Sequence, residues 1–309
     1  MNENLIQIQQ LTKSFHHAEA LRGVDLSIPA GKVTAFLGPN GSGKSTTIKC
    51  SLNLLEGDSG SVQVLGTDSR KLGPEQFQKI GYVSENQKLP DWMTVPQLLD
   101  YCRPMYSDWD RDFEKVLLKQ FELPMKTRLK SLSRGQRMKA ALLSSLAYRP
   151  QLLVLDEPFS GLDPLVRDEF LSGILSLTEQ EGWTVWISSH DIDEVEHFSD
   201  RVAIIAQGRI DLAEDVTELQ SRFQQIDLIM DQEMDIPNKL PDQWLHTQAS
   251  GRAIRLIDSQ YSEEHTNDLL RQYFPQARQH EAHAMSLREI FIALAKTYRL
   301  NSNPETVKA

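Results

Sequence analysis

The alternation of apolar and polar residues near the start of the chain predicts antiparallel strands. Residues 5–8 and 24–28 follow this period-two pattern. Residues 32–37 form a nearly continuous apolar run instead, which is typical of a strand buried on both faces. A glycine-rich segment ends this run, and we expect a helix after it through about residue 54. Residues 61–85 predict further strands.

The pattern changes in the middle of the chain, where apolar residues recur at helical spacing. Phe113, Val116, Leu117 and Phe121 are an example, and we interpret residues 87–149 as a helical subdomain inserted into a sheet-containing core. The next apolar runs predict two buried parallel strands, a helix between them and a closing hairpin with a Gln-Gly turn. These elements are expected at residues 152–155, 185–187, 166–180 and 202–210.

Beyond residue 215 the pattern predicts a separate, small α+β unit. Strands are expected at residues 226–230 and 253–257, and helices at residues 262–273 and 286–299. The last ten residues, 300–309, are polar and are expected to be flexible. The predicted domains are therefore residues 1–215 and 216–299, followed by a tail.

The composition argues mainly against certain classes of protein. The chain has 309 residues, with Lys+Arg 33 against Asp+Glu 43, so the net charge is −10. This acidic balance argues against a nucleic-acid partner, which usually binds a basic surface. No stretch is long and apolar enough to span a bilayer, and we expect no signal peptide. The separated Cys50 and Cys102 are expected to be reduced thiols.

The glycine-rich segment is the strongest chemical signal. Residues 38–45 match the pattern G-x-x-x-x-G-K-S/T between a predicted strand and a predicted helix. Glycines let successive N–H groups turn toward phosphate oxygens, Lys44 adds a positive charge, and Ser45 offers a hydroxyl to Mg²⁺. The alternative is a glycine-rich turn without a ligand. The predicted ATP-binding residues of this loop are Gly38, Pro39, Asn40, Gly41, Ser42, Gly43, Lys44, Ser45 and Thr46.

Two acids follow the next buried strand. In open α/β sheets the carboxyl ends of the strands bind ligands, and residues 152–155 lead directly into Asp156 and Glu157. Asp156 is the candidate for holding Mg²⁺, and Glu157 for orienting or deprotonating the attacking water. The alternative is a strand that simply ends in solvated acids. The loop and the acids together predict an α/β fold of the P-loop ATPase class.

A third motif gives the resemblance to a known family. The segment Leu132-Ser133-Arg134-Gly135-Gln136 resembles the LSGGQ signature of the ATP-binding cassette (ABC) family, with Arg134 in place of the first glycine. Alone, it could be an ordinary helix cap. The resemblance implies that two cassettes enclose two ATP molecules, and that Ser133, Gly135 and Gln136 of one chain face the γ-phosphate held by Lys44 of the other.

The resemblance implies roles for further residues. Phe15 stands where the family stacks an aromatic ring on adenine; the alternative is a core phenylalanine. Asp163 belongs to a segment that lines the cassette interface, and His190 resembles the histidine that reaches the γ-phosphate. The family usually has a glutamine after the strand that ends at Val83. Glu85 aligns there without a gap and is the predicted Mg²⁺ and nucleotide residue, while Gln87 is the alternative.

The resemblance also implies a biological role. It covers residues 4–215, and weaker matches at residues 108–129 and 285–291 resemble bacterial ABC-2-type exporter ATPases. The chain is therefore expected to hydrolyse ATP with Mg²⁺ and to energise a transporter from the inner face of the cell membrane. Its expected partners are separately encoded membrane permease subunits and a second cassette.

Other functions of the family are alternatives. A soluble ABC ATPase that acts as an assembly scaffold is the main one; a cassette that binds ATP without turnover is disfavoured by the presence of Lys44, Asp156, Glu157 and His190. The cargo and the choice between a homodimer and a heterodimer are open at this stage.

Overall fold

The computed structural model describes residues 3–16, 18–85, 87–162, 167, 171 and 182–302, with side chains through residue 297. The chain divides into two compact units, Met1–Ala213 and Glu214–Ala309. Within the described residues no helix combines the length and apolar content needed to cross a membrane. The predicted helix at residues 166–180 lies outside the described residues, apart from residues 167 and 171.

The first unit contains two sheets. Its strands are β1 (Asn4–Phe15), β2 (Ala18–Pro29), β3 (Val33–Leu37), β4 (Ser59–Val64), β5 (Thr67–Asp68), β6 (Ile80–Ser84), β7 (Leu152–Asp156), β8 (Thr184–Ser189), β9 (Arg201–Ala206) and β10 (Arg209–Asp215). An antiparallel sheet has the order β2-β1-β4-β5. β1 and β2 are longer than the alternation predicts because register shifts interrupt the period-two pattern along them.

The second sheet is the core of this unit and positions the candidate site. Its order is β10-β9-β3-β8-β7-β6, and β9, β3, β8, β7 and β6 run parallel. Every residue of β3, β7 and β8 is buried, which explains their continuous apolar runs. The parallel strands bring their carboxyl ends to one edge, where Ser84, Asp156 and Ser188 lie in register. The predicted α/β fold is confirmed.

The helices of the first unit are α1 (Lys44–Ser51), α2 (Pro74–Phe77), α3 (Val95–Cys102), α4 (Arg111–Phe121) and α5 (Arg134–Leu146). α4 begins where the Asp110 side chain accepts hydrogen bonds from the N–H groups of Asp112 and Phe113. Its apolar stripe buries Phe113, Leu117 and Phe121. Val116 is 56% exposed, so its helical spacing does not place it in the core.

The second unit has its own antiparallel sheet and core. Its elements are α6 (Val216–Arg222), β11 (Gln224–Met230), β12 (Trp244–Ser250), β13 (Ala253–Asp258), α7 (Glu263–Tyr273), β14 (Ala277–Ala284) and α8 (Leu287–Ser302). The strand order is β12-β13-β11-β14. Ile226, Leu256 and Phe274 are in its core. The sequence interpretation missed the edge strands β12 and β14. β14 exposes every side chain after its first residue, and β12 buries only Trp244, so neither strand shows an apolar alternation.

Candidate functional site

The glycine-rich loop joins the end of β3 to the start of α1 and is held against the strands around it. A Cβ atom at Gly38 would lie 2.3 Å from the Ile205 carbonyl oxygen. Gly43 has a φ of 114°, and a Cβ atom there would lie 2.9 Å from the Ala20 carbonyl oxygen. No side chain caps α1, so its first N–H groups remain available to an anion.

Lys44 is a buried cation at the first position of α1. Its Nζ atom donates hydrogen bonds to the carbonyl oxygens of Gly38, at 2.6 Å, and Pro39, at 3.2 Å. It also forms an ion pair of 3.0 Å with Glu157 Oε1. The loop carbonyls and the carboxylate thus compensate the cost of burying this charge.

Asp156, at the end of β7, accepts hydrogen bonds from two hydroxyl groups. Ser45 Oγ and Ser188 Oγ each donate to Asp156 Oδ1 at 2.8 Å. Burial raises the pKa of the Asp156 carboxyl, and the two hydroxyl donors oppose that rise. Ser188 also accepts a hydrogen bond from the Glu157 N–H at 3.0 Å. The sequence interpretation gave Ser188 no role, although it lies near the end of β8, two residues before His190.

Glu157 connects this cluster to His190. Its backbone has a φ of 53°, a left-handed conformation that is uncommon for glutamate and often marks a functional position. While Oε1 pairs with Lys44, Oε2 accepts a hydrogen bond of 2.8 Å from His190 Nδ1. The hydrogen bond to Glu157 raises the pKa of His190. The structure therefore joins Lys44, Glu157 and His190 in one chain of contacts.

The loop after β6 places Glu85 beside β7. The Glu85 N–H donates to the Asp156 carbonyl oxygen at 2.8 Å. Gln87 turns back within its own loop, where its Oε1 accepts from the Ser84 N–H at 3.2 Å. The Glu85 carboxylate accepts from Ser160 Oγ at 2.7 Å and from Arg134 Nη2 at 2.9 Å, and these partners lower its pKa.

The signature-like segment forms the start of α5. Ser133 Oγ accepts from the Gln136 N–H at 3.2 Å, and Gln136 Oε1 accepts from the Ser133 N–H at 3.1 Å, which is a capping box. Gly135 is buried and Ser133 is exposed. In the described part of the chain these side chains bond to each other and are not joined by a hydrogen bond to Lys44.

The remaining predicted residues differ in their exposure. Phe15 ends β1 and is 43% exposed, so it is not a core phenylalanine, and Lys13 Nζ lies 5.6 Å from its ring centre. Asp163 lies outside the described residues. Thr46 is half-buried on α1, and the loop residues Pro39, Asn40 and Gly41 are exposed.

Comparison with known families and proteins gives consistent results. The profile described as "ABC transporter" matches residues 21–160. A second profile, described as "AAA domain, putative AbiEii toxin, Type IV TA system", matches residues 126–196. The chain is 27% identical over 289 residues to the ABC transporter ATP-binding protein YtrB of Bacillus subtilis (strain 168), covering 94% of this chain and 97% of YtrB.

Two further proteins match about two thirds of the chain. The uncharacterized ABC transporter ATP-binding protein YdbJ of the same organism is 32% identical over 215 residues, which cover 68% of this chain and 69% of YdbJ. A bacterial ABC transporter cassette solved as a dimer superposes with a TM-score of 0.62 at 25% identity. That superposition covers 68% of this chain and 98% of the solved cassette. The match to YtrB is long enough to include much of the second unit.

Proposed function

We propose that the site at the edge of the central sheet binds and hydrolyses ATP. The chain belongs to the ATP-binding proteins of the ABC transporter family. The chain is an ATPase subunit of a transporter. The proposal assigns the roles of individual residues in ATP binding and hydrolysis. The observation that carries it is the unbroken set of contacts from Ser45 to Asp156 and from Lys44 through Glu157 to His190.

In this proposal the loop residues 38–46 hold the phosphates of ATP. The uncapped N–H groups at the start of α1 and the positive charge of Lys44 both favour an anion at this place. Lys44 then exchanges its contact with Glu157 for the β- and γ-phosphates. Exposure of Phe15 supports its role as the ring on which adenine stacks.

The residues present fit Mg²⁺, which prefers oxygen ligands. Ser45 Oγ and Asp156 Oδ1 lie 2.8 Å apart, and Glu85 follows the strand residue paired with Asp156. Among the described residues no group of three or more His, Cys, Asp or Glu side chains is arranged to hold a metal. We propose that Ser45 and Asp156 would hold Mg²⁺, with Glu85 as a further candidate, and that the ion would supply positive charge to the phosphates when bound.

Glu157 is the proposed residue that orients the attacking water, and His190 the residue that positions Glu157 and reaches the γ-phosphate. The contact between His190 Nδ1 and Glu157 Oε2 supports this pairing. Glu157→Gln keeps the shape of the side chain but removes the negative charge. Turnover of ATP is expected to fall about 100-fold or more while binding of ATP survives.

The measurement is steady-state ATPase activity together with the affinity for Mg·ATP. Asp193→Asn is the control, because it makes the same change from an acid to its amide outside the proposed site. Asp193 is exposed and lies three residues beyond His190. Wild-type turnover in Glu157→Gln would contradict the role of Glu157. A loss equal to that of Glu157→Gln in the Asp193→Asn variant would show that charge near the site, and not this side chain, is responsible.

We further propose that two cassettes close on ATP and drive a separate permease in the direction of export. The exposed Ser133 at the start of α5 supports contact with a second cassette. Trp92, which is 67% exposed, supports a permease-docking loop, whereas its neighbour Met93 is buried and does not belong to such a surface. Binding to a permease would hold the chain at the inner face of the cell membrane. Identification of the membrane protein that copurifies with the chain tests this part, and recovery without any would contradict it.

A further inference from the structure

Arg134 joins three segments of the nucleotide site that are far apart in sequence. It is the first residue of α5, and its Nη2 atom lies 2.9 Å from Glu85 Oε1 in the loop after β6. Ser160, in the loop after β7, donates to the same Glu85 oxygen at 2.7 Å. The three segments are therefore held together at a single carboxylate oxygen.

The backbone at Gly161 is shaped to admit this arginine. A Cβ atom at Gly161 would lie 2.5 Å from Arg134 Nη1 and 2.9 Å from Cζ. Gly161 also has a φ of 67°, which favours glycine. The guanidinium thus lies directly against the segment that follows Glu157.

The backbone of Glu85 is linked to the residues of the phosphate site. Its N–H is bonded to the carbonyl oxygen of Asp156, and Asp156 holds Ser45 of the phosphate loop. Without a cation beside it, the Glu85 carboxylate would add to the negative charge of Asp156 and Glu157. The three phosphates of ATP would then meet a more negative site.

We propose that Arg134 is a positioning residue that neutralises and locates Glu85, so that the site accepts Mg·ATP. Sequence alone marks Glu85 and Arg134 as separate departures from the family motifs, at the usual glutamine and at the first glycine of the signature. In the structure these two residues form an ion pair with each other. We infer that each one compensates for the other.

An ordinary surface ion pair is the simpler alternative, because the two side chains are 48% and 33% exposed. Such pairs contribute little to folding stability. The proposal differs because it makes the effect of Arg134 on nucleotide affinity depend on the charge of Glu85. A double-mutant cycle measures this dependence.

The test measures the dissociation constant of the non-hydrolysable ATP analogue AMP-PNP with Mg²⁺ in the full chain. Arg134→Gln should weaken binding about three- to tenfold, since one uncompensated negative charge then faces the phosphates. The same change in a Glu85→Gln background should alter affinity less than about twofold. Arg134→Lys, which keeps the charge, should restore most of the affinity.

Salt and a matched arginine provide the controls. Raising NaCl from about 0.05 to about 0.5 M should shrink the effect of Arg134→Gln, because the interaction is electrostatic. Arg137→Gln removes another arginine of α5, which pairs with Asp91 at 2.9 Å, and should not change affinity. Thermal unfolding should show that every variant is folded.

The outcomes separate this proposal from the proposed function on which it rests. Equal losses from Arg134→Gln in both backgrounds, or none in either, would overturn the role of Arg134 while leaving the nucleotide site in place. Failure of the unmodified chain to bind Mg·AMP-PNP would overturn the proposed function, and this proposal with it.

Discussion

At the scale of single residues, Glu157 is the centre of the site because its two carboxylate oxygens contact different side chains. Oε1 pairs with Lys44 and Oε2 with His190. A side chain that makes both contacts must point in one direction from the end of β7. The left-handed backbone at Glu157 gives the side chain that direction. Neither the second contact nor the backbone conformation is visible in the Asp-Glu pattern itself.

The titration of His190 gives a prediction at this scale. The pKa of His190 is raised from 6.5, first by its hydrogen bond to Glu157 and then by the charges of Glu157 and Glu194, while burial and Lys44 oppose the rise. Glu157→Gln should therefore lower the pKa of His190 toward its ordinary value. Proton NMR titration of the histidine ring signals, assigned with His190→Gln, measures the change. An unchanged pKa would contradict the contact.

The raised pKa also has a consequence for stability. A histidine that binds its proton more tightly in the folded state stabilises the fold fully below the unfolded pKa of about 6.5. This contribution is lost as pH rises through the higher folded pKa. Wild-type chain should thus lose stability over that interval, and Glu157→Gln should lose less. Unfolding midpoints measured across neutral pH compare the two, and equal slopes would count against the linkage.

At the scale of elements, α5 begins with a capping box that uses the serine proposed to face a second nucleotide. Ser133→Ala removes the acceptor of the Gln136 N–H and should lower the free energy of unfolding by about 0.5–2 kcal/mol. Ser133→Asp keeps a good cap but adds a negative charge. It should preserve stability and abolish ATP-dependent association of Glu157→Gln chains, because the charge repels the γ-phosphate of the partner site.

Denaturant unfolding and light scattering measure these two properties separately. Ser286 is a matched control, because it precedes α8 and its Oγ accepts a hydrogen bond from the Glu289 N–H at 3.2 Å, as Ser133 Oγ does from the Gln136 N–H. Ser286→Ala should have a similar cost in stability and no effect on association. ATP-dependent association that survives in Ser133→Asp would remove Ser133 from the cassette interface.

At the scale of the whole molecule, the two compact units divide the chain between nucleotide chemistry and another task. Every described residue of the proposed ATP site lies in the first unit, and the second has a separate core around Ile226 and Leu256. We expect a chain that ends at Asp215, which keeps the hairpin of β9 and β10 complete, to bind Mg·ATP within about threefold of the full chain.

Isothermal titration of the two chains with Mg·ATP, in the Glu157→Gln background, makes the comparison. Circular dichroism of the shortened chain shows whether it is folded. A shortened chain that is folded but does not bind ATP would place part of the nucleotide site in the second unit. Our proposed division of the chain would then be wrong.

The sequence by itself determined the fold class and the family. Continuous apolar runs identified the buried strands, because a strand covered on both faces cannot alternate. The phosphate-loop pattern could be recognised because its chemistry depends on neighbours along the chain, as between Gly43 and Ser45. These features are local in sequence, so each can be recognised without knowledge of its tertiary contacts.

Only the tertiary structure decided which distant residues meet. Ser188 reaches Asp156 because β7 and β8 are paired in one particular register, and Arg134 reaches Glu85 because α5 and the loop after β6 lie together. The edge strands β12 and β14 were also invisible in the sequence. Their backbone hydrogen bonds form with β13 and β11, while β12 buries only Trp244 and β14 buries no side chain, so neither strand shows a hydrophobic periodicity.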